Sequence, residues 1–309
     1  MIYTVTLNPA LDKTVQVPQM CVDAVNRITQ MRTDPGGKGI NVSKVIAKLG
    51  GQSTVLALLG GSTGRKIADA LEEMGLTCRM TFIPGETRTN LKVVDPILHT
   101  NTDINEPGIE VTEEILDAML AELVGMLKPE DIVAISGSLP KGAPRDTYCH
   151  WVTECKKAGA KVFLDVDGAL LAEGLKASPY LVKPNNEELS RLMGKPLETT
   201  EELVEAAKAL LAQGVEKVVV SMGGKGALYV TRDMVIQAEG LKVPVGSTVG
   251  AGDSVVAALA LAEERGLPME ETVRLSTATG AANVMCSGSQ AAEREVIESL
   301  IGNVIFHTL

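Results

Sequence analysis

No Cys-x-x-Cys pair occurs in this sequence, and its five cysteines (Cys21, Cys78, Cys149, Cys155 and Cys286) are an odd number. A disulfide framework and a zinc site are both disfavoured, and reduced thiols are expected. The three histidines, His99, His150 and His307, have no cysteine or carboxylate at metal-ligand spacing and are expected at the surface. No run of Lys or Arg breaks a chain of formal charge −10, which argues against nucleic acid or an anionic membrane as partner. No apolar stretch approaches the ~20 residues of a membrane helix. Residues Met1 to Leu7 lack a basic leader and read as a strand, so a soluble, cytoplasmic protein is expected. Familiar fingerprints are missing as well. Val42 stands where the third glycine of a dinucleotide loop would fall, and Gly60-Gly61-Ser62-Thr63-Gly64-Arg65-Lys66 lacks P-loop spacing. No nucleophile elbow surrounds Ser136 or Ser138, which leaves a serine hydrolase with little support.

What is present is an alternation. The 309 residues, 45% hydrophobic, suffice for one large α/β domain or two smaller ones. Apolar strand-like runs (Ile2–Leu7, Val55–Leu59, Asp131–Ser136, Val162–Val166, Lys217–Ser221) alternate with segments of helical periodicity such as Ile40–Leu49, Ser62–Met74 and Glu113–Leu127. Thr199 and Glu202 form a capping-box pattern, and Ala227–Val230 with Val235–Ala238 reads as a hairpin. Near-continuous apolar strands predict a mostly parallel sheet covered on both faces, an α/β fold. Two polar, β-leaning patches do not fit. Strands near Thr14–Val17 and Asn26–Arg32, and near Thr87–Val94 and Thr100–Ile104, are expected to form a small separate sheet. The expected division is a main domain of residues 1–10, 35–86 and 107–309, with a discontinuous β unit of residues 11–34 and 87–106. Ligands of such sheets bind beyond the carboxyl ends of the strands, where Asp12, Ser136 to Ser138, Asp165 to Asp167, Lys183 to Asn185 and Ser221 to Gly223 are expected.

The most pointed stretch is Ser247-Thr248-Val249-Gly250-Ala251-Gly252-Asp253-Ser254, which leads into an apolar helix. Small residues at a helix start expose backbone N–H groups to an anion. An aspartate in that cradle either takes a proton from a hydroxyl during phosphoryl transfer or merely complements the helix dipole. Gly36-Gly37-Lys38-Gly39 also enters a helix and offers a cradle with a cation at its rim. Gly223-Gly224-Lys225-Gly226 is either a flat shelf for a nucleotide or a simple turn. Arg88 could clamp a phosphate or be a solvated strand residue, and Arg27 shares that ambiguity. Asn185 and Glu188 could hold a hydrated Mg²⁺ through water, or be an N-cap and a first-turn acid.

Taken together, these residues resemble the ribokinase-like sugar kinases of the phosphofructokinase-B type over essentially the whole chain. The likeness rests on Gly36 to Ser43 and Ser247 to Ser254, which match the two family signatures in the right order, and on Asn185-Asn186-Glu187-Glu188, which matches the family's Asn-x-x-Glu motif. The resemblance implies a Rossmann-like α/β/α ribokinase fold with a small β-sheet lid, and ATP and Mg²⁺ as requirements. It further implies a homodimer formed through the lid. It gives Asp253 the role of catalytic base, with the amides of Gly250, Ala251 and Gly252 as its anion hole. Asp12, Gly37, Lys38 and Asn41 match sugar-binding positions, and Arg88 and Ser138 match contacts to a phosphorylated sugar. Lys183, Ser221, Gly223 and Gly226 correspond to nucleotide contacts, and Asn283 to a residue near the adenine. Asn8 to Asp12, Lys38 and Asn105 to Gly108 are similar to the branch that acts on ketohexose phosphates. The implied reaction is phosphorylation of fructose 1-phosphate at its 6-hydroxyl, with tagatose 6-phosphate, phosphorylated at the 1-hydroxyl, as the alternative substrate. A non-catalytic nucleotide or sugar-phosphate sensor is the alternative of another class. One departure stands out: Asp95-Pro96-Ile97-Leu98-His99 replaces the family's glycine-containing hairpin turn, and altered lid geometry is expected there.

Overall fold

Short apolar runs with no wet face can be satisfied only inside a sheet covered on both sides, and that is how the main strands are used. The computed structural model describes residues 1–286, 288 and 290–309. In chain order its strands are β1 (Ile2–Thr6), β2 (Ala10–Gln16), β3 (Gln30–Gly36), β4 (Ser53–Leu59), β5 (Thr77–Phe82), β6 (Arg88–Asp95), β7 (Thr100–Asn105), β8 (Ile132–Ser136), β9 (Lys161–Asp165), β10 (Leu181–Val182), β11 (Lys217–Ser221), β12 (Ala227–Val230), β13 (Val235–Ala238) and β14 (Phe306–Thr308). Ten of them form one sheet in the order β14-β13-β12-β11-β10-β9-β8-β1-β4-β5. From β11 to β5 every neighbour is parallel, whereas β11 to β14 are joined antiparallel.

The helices α1 (Lys38–Lys48), α2 (Gly61–Glu73), α3 (Glu113–Met126), α4 (Thr147–Lys157), α5 (Gly168–Leu175), α6 (Asn186–Met193), α7 (Thr200–Ala212), α8 (Ala251–Glu264), α9 (Met269–Val284) and α10 (Arg294–Ile301) cover this sheet. Alternate strand residues pack on opposite layers. Val133, Ile135, Val162 and Leu164 meet α3 to α7 through Leu120, Trp151, Leu171 and Leu210. Ile132, Ala134 and Phe163 face the other way, toward α1, α8, α9 and α10. The result is a three-layer α/β/α fold. No described helix is long and apolar enough to cross a membrane.

The four remaining strands form a second sheet in the order β3-β2-β6-β7. Its residues are more polar and more exposed, and β7 is exposed throughout. β2 begins at Ala10, four residues before the expected start, and β3 runs on to Gly36, so Pro35-Gly36 is strand and not loop. A proline is tolerated there because β3 is an edge strand. The Asp95 to His99 turn leaves the β6–β7 hairpin intact, with Asp95 opposite Thr100. The Asp95 carboxylate accepts the N–H groups of Gln19, Met20, Ile97 and Leu98 at 2.8–3.1 Å, which does the work of a glycine turn by side-chain capping. The expected distortion of this hairpin is therefore absent. Strands β5 and β14 and helix α5 escaped sequence reading. β5 and β14 are edge strands with mixed burial, and α5 is only two turns long, so none carries a clear period.

Candidate active site

The ends of β8, β9, β10 and β11 gather on one edge of the sheet, beside β1, where the chain direction of the crossovers reverses. That is the crevice in which open α/β sheets bind ligands. A cavity of about 620 Å³ opens there, between the main sheet and the second sheet. The structure brings Asp12, Gly37, Lys38, Asn41, Arg88, Ser138, Lys183, Asn185, Glu188, Ser221, Gly250, Gly252 and Asp253 into its lining.

Asp253 sits in the first turn of α8, buried, with 6% of its surface exposed. The helix can start where it does because Gly250 adopts φ 79° at the N-cap, a conformation costly to any residue with a Cβ. Gly37 plays the same part before α1, with φ 124° and Thr6 packed where a Cβ would stand. Asn41, four residues further on, donates Nδ2 to Asp253 Oδ2 at 2.9 Å. Burial, and then the neighbouring charge of Asp165, push the Asp253 carboxyl up to about 6, against the pull of Lys38 and Lys183. A buried carboxylate that titrates near neutrality at a glycine-rich helix start is equipped to remove a proton.

Asp165, at the end of β9, is the residue that sequence reading placed at a strand end without giving it a role. It is 4% exposed and lies between two lysines. Lys183 Nζ stands 3.4 Å from Oδ1. Lys38 Nζ is 3.6 Å from Oδ2, near enough to attract but too far to hydrogen bond, so this buried oxygen has no hydrogen-bond partner among the described residues. Burial works to raise the Asp165 carboxyl, but Lys183 and then Lys38 outweigh it and hold it below the usual carboxylate range. Reciprocally, Asp165 is the chief reason that Lys38 is held above its ordinary value. Lys183 also lies against α8: a Cβ on Gly252 would come within 3.1 Å of its ammonium. Two cations and the start of α8 thus converge beside Asp253. The signal available in sequence was Asp165-Val166-Asp167 after an apolar strand, which is too common to single out.

On the other side of the cavity, Asp12 and Asn90 project from adjacent strands of the second sheet, with Asn90 Nδ2 3.2 Å from Asp12 Oδ1. Burial raises the Asp12 carboxyl. Arg88 is held by backbone carbonyls: Nη2 donates to Asn8 at 2.9 Å, Nη1 to Glu106 at 3.3 Å and Nε to Pro9 at 3.4 Å. Ser138 Oγ accepts from Asn8 Nδ2 at 3.1 Å. Lys92, which sequence reading passed over, also lines this side.

Four expected site residues do not reach the cavity lining. Ala251 occupies the first position of α8, but its N–H turns toward the Thr248 carbonyl at 3.4 Å. Gly223 and Gly226 bracket a single tight helical turn after β11, the turn alternative left open by sequence. Asn283, 2% exposed, donates Nδ2 to the Val249 carbonyl at 3.1 Å. That bond ties α9 to the loop before Gly250.

Asn185 and Glu188 form a complete capping box at the start of α6, each side chain bonded to the other's backbone N–H at 2.8 Å. The bland alternative is thus realised, yet both residues also border the cavity. Among the described residues, no three His, Cys, Asp or Glu side chains converge as a metal cage. What Asn185, Glu188 and Asp165 offer is a spread-out set of oxygen donors, including the unpartnered Asp165 Oδ2. That set fits a hard cation which arrives coordinated by phosphates and keeps much of its water.

Residues 5–295 match the model of the pfkB family of carbohydrate kinases. The chain belongs to this family and is a phosphotransferase, with ATP as the phosphoryl donor and a divalent metal as the usual companion. It is 43% identical over 278 residues to 1-phosphofructokinase of Rhodobacter capsulatus, covering 90% of this chain and 88% of that one. It is 37% identical over 304 residues to 1-phosphofructokinase of Bacillus subtilis (strain 168), covering 98% of each. Among solved structures it resembles phosphofructokinase-2 of Escherichia coli in complex with substrates and products, with a TM-score of 0.93 and 32% identity over 98% of each chain.

Proposed function

We propose that this protein transfers the γ-phosphoryl group of ATP to the 6-hydroxyl of fructose 1-phosphate, giving fructose 1,6-bisphosphate. The observation that carries this reading is Asp253: a buried carboxylate pushed up to about 6 at the mouth of an anion-binding helix, in a cavity with cations on both sides. The full-length relatives named 1-phosphofructokinase support the substrate. Tagatose 6-phosphate is not favoured by them.

In this reading Asp253 takes the proton of the acceptor hydroxyl, and Asn41 holds the carboxylate toward it. Asp12, with Gly37, accepts hydrogen bonds from sugar hydroxyls. Arg88, Lys38 and Ser138 meet the phosphate already on the sugar. N–H groups at the start of α8, chiefly of Gly250 and Gly252, take up charge on the migrating phosphoryl group. Lys183 and Ser221 face the nucleotide, while Gly223 and Gly226 would meet only a nucleotide that extends past Ser221. Mg²⁺, the metal we propose, would neutralise triphosphate oxygens and be reached through water by Asn185 and Glu188. The second sheet is the lid of the site, and it excludes water that would otherwise accept the phosphoryl group. Met31 and Ile104 in this sheet, and Val22, Val25 and Ile28 in its β2–β3 connection, are exposed, and we propose that these apolar residues form a homodimer interface. Sedimentation should then show a dimer that Met31→Lys weakens. The cytoplasm is the proposed compartment.

A coupled ADP-release assay comparing kcat/KM for fructose 1-phosphate, tagatose 6-phosphate and fructose 6-phosphate tests the reading. Fructose 1-phosphate should lead. Preference for tagatose 6-phosphate overturns the substrate but not the mechanism. Absence of ADP release with all three overturns the kinase and leaves a sensor.

A further inference from the structure

Lys44 lies on α1, three residues after Asn41, so the two side chains share one face of the helix. It is 9% exposed, an unusual place for an ammonium group, which is costly to bury unless its donors are used. Its Nζ donates to Asn41 Oδ1 at 3.1 Å and to the Pro35 carbonyl at 3.1 Å. An ammonium group can only donate. It therefore settles which way the Asn41 amide points: oxygen toward Lys44, nitrogen toward Asp253 Oδ2 at 2.9 Å. A flipped amide would set an oxygen against the carboxylate. Pro35, an acceptor beside Asn41, is the next-to-last residue of β3, where the lid strand returns to the main domain.

We infer that Lys44 is a positioning residue that orients Asn41 toward the base and ties that orientation to the end of the lid strand β3. The inference rests on Asp253 being the base. Charged groups face Lys44 from each element packed on it: Asp34 and Arg32 from β3, Asp12 from β2 and Asp253 from α8. Burial lowers the ammonium's pKa, and Asp34, Asp12 and Asp253 oppose that, so the group is a shared counter-ion for a sugar-side acid and the base. With Lys44 gone, Asn41 is free to rotate, and Asp253 loses a donor that favours its charged form. The rate must then fall, and its acid limb must move to higher pH.

The test compares K44M, N41L and the K44M/N41L double variant in the coupled assay from pH 5 to 8, with D253N alongside. For K44M, kcat should drop about tenfold, as for a displaced reacting group, with KM within about threefold. The acid limb should lie above that of the wild type. The double variant should be no slower than N41L, because Lys44 acts through Asn41. A K44M enzyme with wild-type rate and limb overturns the inference, and so do losses that multiply in the double variant. If K44M does not fold, K44Q carries the test, since its shorter amide cannot reach Asn41 and Pro35 together; an unchanged rate and limb overturns the role again. D253N separates the two readings. An active D253N removes the base assignment itself, whereas an inactive D253N beside an unaffected K44M removes only the role of Lys44.

Discussion

The two ends of α8 pose the same electrostatic problem and solve it differently. At its carboxyl end, Glu263 meets two lysines that project from the starts of β9 and β11. Its Oε1 accepts from Lys161 at 2.7 Å and from the Tyr180 hydroxyl at 2.7 Å, and its Oε2 accepts from Lys217 at 2.6 Å. At the amino end, ~15 Å away along the helix, Asp253 and Asp165 also meet two lysines. There the lysines approach the Asp165 carboxylate to 3.4 and 3.6 Å, and one of its oxygens has no hydrogen bond among the described residues. Burial pushes Glu263 upward, but its three donors more than reverse that. Asp253, with Asn41 as its hydrogen-bond donor, is pushed up to about 6. A carboxylate whose donors close around it holds strands to a helix. A carboxylate pair whose cations stand back leaves donors unused, which in the proposed mechanism serve an incoming anion and a base that works near neutral pH.

The comparison breaks first at Asp253. Asp253→Asn should lower kcat by at least about 10², the usual cost of a lost general base. The assay is ADP release at saturating fructose 1-phosphate, and a near-normal kcat would sink the assignment. Wild-type activity should fall about tenfold per pH unit below pH 6, where Asp253 is protonated. Linkage gives a second readout with the opposite sign. A carboxyl raised from 3.8 to about 6 on folding destabilises the native state above that pH, and the penalty vanishes as pH falls below 3.8. D253N should therefore be more stable than wild type at pH 7.5, by on the order of 2 kcal/mol, and equal to it below about pH 3.

Asp165→Asn should have the next largest effect. It frees Lys38 and Lys183 from their common counter-ion, and kcat should fall about tenfold through their misplacement. It also removes the charge that helps to raise Asp253, so the acid limb should move to lower pH. A limb that moves upward would show that the two carboxylates are not coupled as their placement requires.

At the closed end, Glu263→Gln should leave kcat within about twofold but cost about 2 kcal/mol of stability, because Lys217 loses its carboxylate and Lys161 keeps only that of the exposed Glu130, at 2.9 Å. Urea unfolding would measure it. The Glu263 carboxyl is held below its ordinary value of 4.5, so its contribution is present above that pH and fades as pH falls below it. The stability gap between wild type and E263Q should close accordingly in acid. A large loss of kcat would mean that the two ends of α8 are not independent.

The two ends also differ in how far sequence could reach them. The amino end was legible because glycines and an acid at a helix start are local features, and because Gly36 to Ser43 supplies the strand-to-helix entry that faces it. Asp165 and Lys44 were not. Asp165 is an ordinary acid after an apolar strand, and Lys44 an ordinary lysine in an amphipathic helix. Each matters through a neighbour far away in the chain, Lys38 for one and Asp253, reached through Asn41, for the other. The Glu263 cluster was invisible for the same reason: Lys161, Tyr180, Lys217 and Glu263 share no periodicity and meet only when β9, β10 and β11 lie parallel under α8. The alternation that defines the sheet was legible because apolar strands repeat. The edge strands β5 and β14 were not, since a strand half-exposed to water lacks the continuous run that marked the centre.

The smallest effect sharpens the contrast most. Tyr180→Phe removes one hydroxyl from the closed cluster and nothing else. The ring would still stack on Phe163, at a centroid distance of 5.9 Å, and still lie 5.2 Å beneath each of Lys161 and Lys217. Glu263 would keep both lysines and lose only the hydroxyl donor on Oε1. The expected cost is about 1 kcal/mol, typical of a single hydrogen bond to a charged acceptor near the surface, with kcat and its pH profile unchanged. If the loss were instead negligible, the lysines alone would account for the tight end, and its closure would be a matter of charge. A loss of about 1 kcal/mol means that a neutral donor completes what charge begins, which is the feature that Asp165 lacks.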